Sequence, residues 1–104
     1  MAYDIYLGKN KSDVSKSMPS MSIEEEDFEK ISNLFLNTNN NGILEDMFKD
    51  YYSDYCIQGG DLERLKNELL FMKKTFKNLN IFDKFLFLTE KAIKDNNNIY
   101  CFSD

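Results

Sequence analysis

Asp46–Asp61, DMFKDYYSDYCIQGGD, is the stretch on which the fold turns. It crowds the rings of Phe48, Tyr51, Tyr52 and Tyr55 among a line of carboxylates and ends at Gly59-Gly60. Read as a helix starting at Ile43, its apolar residues are Ile43, Leu44, Met47, Phe48, Tyr51, Tyr52 and Tyr55. At about 100° per residue they cover roughly half the circumference. Asp46, Asp50 and Asp54 then recur at i, i+4 and i+8 as one acidic stripe, with Asp54 at the apolar edge. Like charges at this spacing cost a few tenths of a kcal/mol per pair. Lys49 offers the nearest compensation, through Glu45. A stripe that costs stability and gains no partner on its own helix points outward, to a basic partner. The plain alternative is a solvated helix face. Tyrosine, with an apolar body and a hydroxyl that stays wet, suits an interface, although most such rings line cores.

Working outward, 104 residues predict a single domain, 1–104, of marginal stability. Hydrophobic residues make up 42%, including nine Phe and six Tyr, enough to fill a core. No run approaches the ~18 apolar residues of a membrane span. The opening MAYDIYLGKN lacks the features of a signal peptide, so a cytoplasmic location is expected. Cys56 and Cys101 read as two reduced thiols, although a disulfide between them stays open. The absence of histidine removes the commonest general base and zinc ligand, and with them most nucleophilic catalysis. The net charge of -5 is uneven. Residues 1–61 hold 12 acidic and 5 basic side chains, whereas residues 62–104 hold 6 and 8. This balance disfavours nucleic acid and anionic membrane as partners and favours a basic protein.

Along the chain, Tyr3, Ile5 and Leu7 alternate with Asp4 and Tyr6, which predicts a strand over 3–7. Residues 9–21 are polar, hold the only proline and are predicted to form a flexible loop. Ser22 with Glu25 fits a capping box, and Glu24–Asp27 suit the positive end of a helix whose inward stripe is Phe28, Ile31, Leu34 and Phe35. The asparagine run before Gly42 predicts a turn, with Asn41 able to cap the next helix. After Gly59-Gly60, Asp61 is expected to cap a helix with Leu62, Leu65, Leu69, Met72 and Phe76 on its core face. A further helix is predicted over 82–94. It is apolar nearly all round near Phe87 and so is expected to be the most buried. Ile99–Phe102 is β-prone and could pair with 3–7. The expected fold is α-rich α+β, about four packed helices with short strands at the two ends.

The glycines form neither a dinucleotide fingerprint nor a phosphate loop. Gly59-Gly60-Asp61 reads as a break and a cap. The acids at 24–27 and at 46, 50 and 54 lack the DxDxDG pattern of a calcium loop. No metal, no cofactor and no catalysis are expected.

The layout itself carries a resemblance. An opening YDIYLG strand, a capped acidic helix, a helix rich in Asp and Tyr, and a closing NIYCFSD strand resemble small bacterial immunity proteins. These are the cognate inhibitors of toxin domains such as those of contact-dependent growth inhibition. The resemblance implies tight, non-catalytic binding to one toxin domain, often a basic nuclease, by an acidic face that covers its active site. The residues assigned to that face are Glu24, Glu25, Asp46, Asp50, Tyr52, Asp54 and Tyr55. The carboxylates would accept from Lys or Arg, and the tyrosines would act as central anchors. A monomer before binding is expected. The alternatives are a DNA-mimicking inhibitor from a phage or mobile element, of the anti-CRISPR type, and a non-catalytic domain that binds a small ligand.

Overall fold

The strand expected at the N-terminus is β1, Ala2–Gly8, and the strand expected at the C-terminus is β4, Asn98–Ser103. In this computed structural model, which describes residues 2–14, 18–35, 42–49, 51–77 and 79–103, they pair antiparallel from Tyr3 opposite Ser103 to Gly8 opposite Asn98. They form the centre of a sheet whose edges are β2, Met21–Glu24, beside β1, and β3, Tyr55–Ile57, beside β4. The chain is therefore an α-rich α+β protein with a four-stranded antiparallel sheet in the order β2-β1-β4-β3.

The period-two alternation of β1 decides which face is covered. Tyr3 and Ile5, with Ile23, Ile57, Ile99 and Cys101 from the other strands, are buried on the inner face. Three helices supply most of the opposing layer: α2, Glu25–Leu34; α4, Asp61–Thr75; and α5, Asn80–Asp95. Phe28 and Ile31 of α2, Leu62, Leu65 and Leu69 of α4, and Phe82, Phe85 and Ala92 of α5 join one hydrophobic cluster with the strands. Each fully buried aliphatic or aromatic side chain contributes roughly 1.5–3 kcal/mol. The 3-and-4 spacing read in the sequence of α4 is the spacing that meets this core.

A Schellman arrangement returns the chain from α5 to the sheet. Asn96 takes the left-handed conformation, φ 57°; its N–H donates to Ile93 and that of Asn97 to Ala92. Asparagine is one of the few non-glycine residues that enters this region readily.

Four expectations change. The stretch 9–21 carries a short helix, α1, Lys11–Val14, and the first residue of β2, while residues 15–17 lie outside the described set. Val14 is buried against Gly8, where a Cβ would come within 2.7 Å of its Cγ1, so a side chain at Gly8 would displace α1. Ser22 does not cap α2. It sits in β2 opposite Asp4, whose carboxylate accepts from its Oγ at 2.6 Å, and Glu24 stands at the N-cap position without a side-chain cap. Gly60, not Asp61, precedes α4; Gly59, at φ +62°, makes the turn that glycine favours. Finally, α5 buries six residues, more than any other described helix, as expected, but Phe87, whose ring suggested burial all round, is 69% exposed on its outward side.

Candidate functional site

The central stretch is not one helix. A short helix, α3, Ile43–Met47, ends at Phe48, and the chain turns through Tyr51–Asp54 into β3. The reason lies in the residues. Tyr-Tyr-Ser-Asp-Tyr-Cys-Ile is poor in strong helix formers and rich in residues that suit a pleated, half-buried surface. A helix would also carry Ile57 away from Ile99, its partner in β4. The acidic stripe at i, i+4 and i+8 therefore does not form. Asp46 is in α3, Asp54 immediately precedes β3, and Asp50 lies outside the described residues, as do Asn39, Asn40 and Asn41 with the proposed cap.

Something else caps α3. Its first amides, Ile43 N–H and Leu44 N–H, donate to the two oxygens of the Glu68 carboxylate at 3.0 and 2.9 Å. Glu68 belongs to α4, so the five-residue helix is held by a charge-assisted bond from its neighbour. Gly42 leaves room for this cap: a Cβ there would meet Glu68 Oε1 at 2.5 Å.

Asp46 and Tyr55 are brought together. Tyr55 Oη donates to Asp46 Oδ2 at 2.8 Å, and Lys49 Nζ lies 3.2 Å from Asp46 Oδ1. Lys49 thus pairs with Asp46 and not, as expected, with Glu45. The tyrosine hydrogen bond, followed by Lys49, holds the Asp46 carboxyl below the usual range; burial and then the carboxylate raise the Tyr55 hydroxyl well above its ordinary value. These residues line a depression of about 300 Å³ together with Glu45, Asp61 and Arg64. Arg64 pairs with Asp61 at 3.3 Å, and Glu45 Oε2 is buried with no hydrogen-bond partner among the described residues.

Tyr52 and Asp54 lie on the turn before β3, tied to the end of β4. Ser103 Oγ donates to the Tyr52 carbonyl at 3.0 Å, and Ser103 N–H donates to Asp54 Oδ1 at 3.3 Å. The buried Tyr3 hydroxyl donates to the Ser53 carbonyl between them. Tyr51 packs inward against Phe28 at 5.0 Å, and Tyr52 stands edge-on to it at 5.3 Å, 66% exposed. Glu24 and Glu25, both exposed, sit where β2 passes into α2. Tyr3 is opposite Ile23 on one side and Ser103 on the other, so Glu24 and Asp54 belong to the same end of the sheet, on opposite sides of β1 and β4. Glu24, Glu25 and Asp54 form no ion pair among the described residues.

The seven predicted positions thus divide. Asp46 and Tyr55 form one contact at the depression, Tyr52 and Asp54 one turn, and Glu24 and Glu25 the opposite corner of the same sheet end. Sequence reasoning missed Asp61 and Arg64 as neighbours of Asp46 and Tyr55, and Glu68 as the cap of α3, because their meeting depends on α3 lying against α4. Cys56 and Cys101 are both free; Cys56 is exposed on the outer sheet face, and Cys101 is buried on the inner face, where burial pushes its thiol up.

Among the described residues, no group of three or more His, Cys, Asp or Glu side chains is placed to hold a metal ion, and no helix is long and apolar enough to cross a membrane. No protein-family model, curated protein or solved structure matches this chain significantly.

Proposed function

We propose that this protein is a non-catalytic immunity-type inhibitor that binds a basic protein, of the kind a toxin domain presents, through the acidic, tyrosine-bearing end of its sheet. One observation carries the reading. The Tyr52 ring, 66% exposed, stands fixed against buried Tyr51, two residues from Asp54 and at the sheet end that also carries Glu24 and Glu25. A large ring held in water on a rigid support loses little conformational freedom on binding and is the usual form of an interface anchor. Asp54 beside it, and Glu24 and Glu25 at the opposite corner, which form no ion pair among the described residues, steer and align a cationic surface. Asp46 and Tyr55 extend the face toward α3.

The test has two stages. Tagged protein captures partners from its native lysate at low and high salt, and the captured protein is identified by mass spectrometry. That protein is then expressed in cells with and without this chain. The expected result is a basic protein whose expression arrests growth and whose effect the wild-type chain relieves. A Glu24→Lys/Glu25→Lys/Asp54→Lys variant, or Tyr52→Ala, should lose the relief while keeping the circular-dichroism spectrum of the wild type. Relief undiminished in both variants would overturn the site, and a captured protein without toxicity would overturn the immunity reading.

A further inference from the structure

We infer that the open edge of β3 receives an extended, basic segment of the partner as a fifth strand of the sheet. The inference rests on the reading of a basic protein partner and names the way such a partner is held.

The direction of the backbone groups comes first. Ser20 N–H donates to the Ile5 carbonyl, so Ile5 and the residues two positions either side of it, Tyr3 and Leu7, turn their main-chain groups toward β2. Asp4, Tyr6 and Gly8 therefore bond to β4, through Phe102, Tyr100 and Asn98 opposite them. Alternation leaves Cys101 and Ile99 to bond toward β3. The donation of Ser103 N–H to Asp54, on the β3 side, independently gives the same parity. Tyr55 and Ile57, opposite Cys101 and Ile99, use their N–H and C=O on β4. Cys56 between them turns both of its groups outward, away from the sheet, and its side chain is exposed.

An outward N–H and C=O on an edge strand form a template for another strand. Proteins usually blunt such edges by shortening the strand or with lysine, proline or a bulge; β3 is short, at three residues, but Tyr55-Cys56-Ile57 carries neither lysine nor proline. Lysines lie beside both edges of the sheet: Lys30 and Lys84 line a depression with Met21 and Ser22 at β2, and Lys49 and Lys11 line the depressions on the two sides of β3.

The two sides of β3 then fix the chemistry of the occupant. Side chains of an added strand alternate between the sheet faces. On the inner side lies the depression of about 300 Å³, where Lys49 and Arg64 already pair with Asp46 and Asp61, and the Glu45 carboxylate, with one oxygen buried and without a described partner, is the acid left for an incoming cation. On the outer side lies a smaller one of about 180 Å³ lined by Lys11, Asp54, Tyr55, Cys56, Tyr100 and Phe102, where the Lys11 ammonium already stands over the Phe102 ring and disfavours a second cation. One face accepts a lysine or arginine and the other an apolar side chain. A second copy of this chain is a poor occupant, because it carries the same net charge of -5.

The test uses a short fluorescein-labelled peptide of alternating lysine and valine. Anisotropy should report binding, and hydrogen exchange should show the Cys56 amide becoming protected. N-methylation of the peptide amides that face β3 keeps its charge but removes its main-chain donors, and should weaken binding about tenfold or more. Cys56→Pro removes the outward N–H without touching a ladder bond, since proline is tolerated where an edge N–H faces solvent, and should weaken binding to the same degree. If this variant fails to fold, the N-methylated peptide on the wild-type protein probes the same main-chain bonds. Equal affinity of the methylated and unmethylated peptides, or an unprotected Cys56 amide in the complex, overturns strand addition, as does the absence of binding. A concentration-dependent dimer abolished by Cys56→Pro would assign the edge to a second copy and overturn the basic occupant. A captured toxin neutralised equally by wild type and Cys56→Pro would leave the immunity reading standing and remove strand addition; peptide binding with the expected sensitivities but no captured toxin would do the reverse.

Discussion

At the scale of the residue, Asp46 is the side chain whose titration reports the site. Its carboxylate accepts from Tyr55 Oη and faces Lys49, and the tyrosine bond is the larger cause of its lowered pKa. A carboxylate with a folded pKa below its unfolded value stabilises the folded state above the ordinary carboxylate range. That contribution is lost as the pH falls through the folded value, on the acid side of about pH 4. The group is exposed, so the effect on overall stability is small and the direct readout is the titration itself. Tyr55→Phe should return the Asp46 pKa toward the ordinary range, and Lys49→Ala should do so less, as measured by carboxyl chemical shifts against pH. An Asp46 titration unmoved by Tyr55→Phe would mean that the contact between α3 and β3 is not made in solution. A partner cation placed beside Asp46 would lower its pKa further, so the same signal reads binding.

At the scale of the element, α3 exists because of a group outside it. Five residues are too few for a helix to hold itself in water. Its apolar residues Ile43, Leu44 and Met47 are buried, and its first two amides end on Glu68 of α4. Glu68→Ala should cost about 1.5–3 kcal/mol, the value of hydrogen bonds to a charged group. A loss of that size in a chain of this length lowers the melting temperature by about 4–8 °C per kcal/mol. Gly42→Ala should cost less than the full cap by displacing the carboxylate, and the double variant should cost less than the sum of the two, because both act on one interaction. Additive losses would mean that the cap and the glycine act separately. This element also shows what the chain made legible. The stripe of α4 and the alternation in β1 could be read directly, because each encodes burial in a local period. The segment from Phe48 to Ile57 could not: its aromatic residues satisfy a helical stripe over one part and a strand alternation over another. The choice falls to Ile99 and Cys101, more than forty positions further on, which offer β3 an edge to pair with. The site divides in the same way. Tyr52, Asp54, Asp46 and Tyr55 were found by type, whereas their grouping, and the presence of Asp61 and Arg64 beside Asp46 and Tyr55, follows from contacts between elements that leave no periodic trace.

At the scale of the whole molecule, the central pairing joins residues at opposite ends of the chain, Tyr3 with Ser103. That closure joins two halves of the sheet, the β1–β2 pair and the β3–β4 pair, the latter itself linking residues more than forty positions apart. The α4–α5 hairpin is local by contrast, its helices separated by Phe76–Leu79 and its packing supplied by Leu65, Leu69, Phe82 and Phe85. Loop closure must be met before distant contacts contribute, so local helical packing is expected to lead and the sheet to follow. Leu69→Ala and Ile99→Ala compare the two, since both remove a fully buried side chain at about 2–5 kcal/mol. If the hairpin is formed in the transition state, Leu69→Ala slows folding, with a φ value of about 0.5–0.8, whereas Ile99→Ala mainly speeds unfolding, with φ of about 0–0.3. Chevron plots of the two variants measure this. The reverse order would place sheet closure in the nucleus. The expected order also bears on the proposed function: β3 and the turn carrying Tyr52 and Asp54 are fastened to β4, so the proposed binding edge is complete only when the sheet has closed.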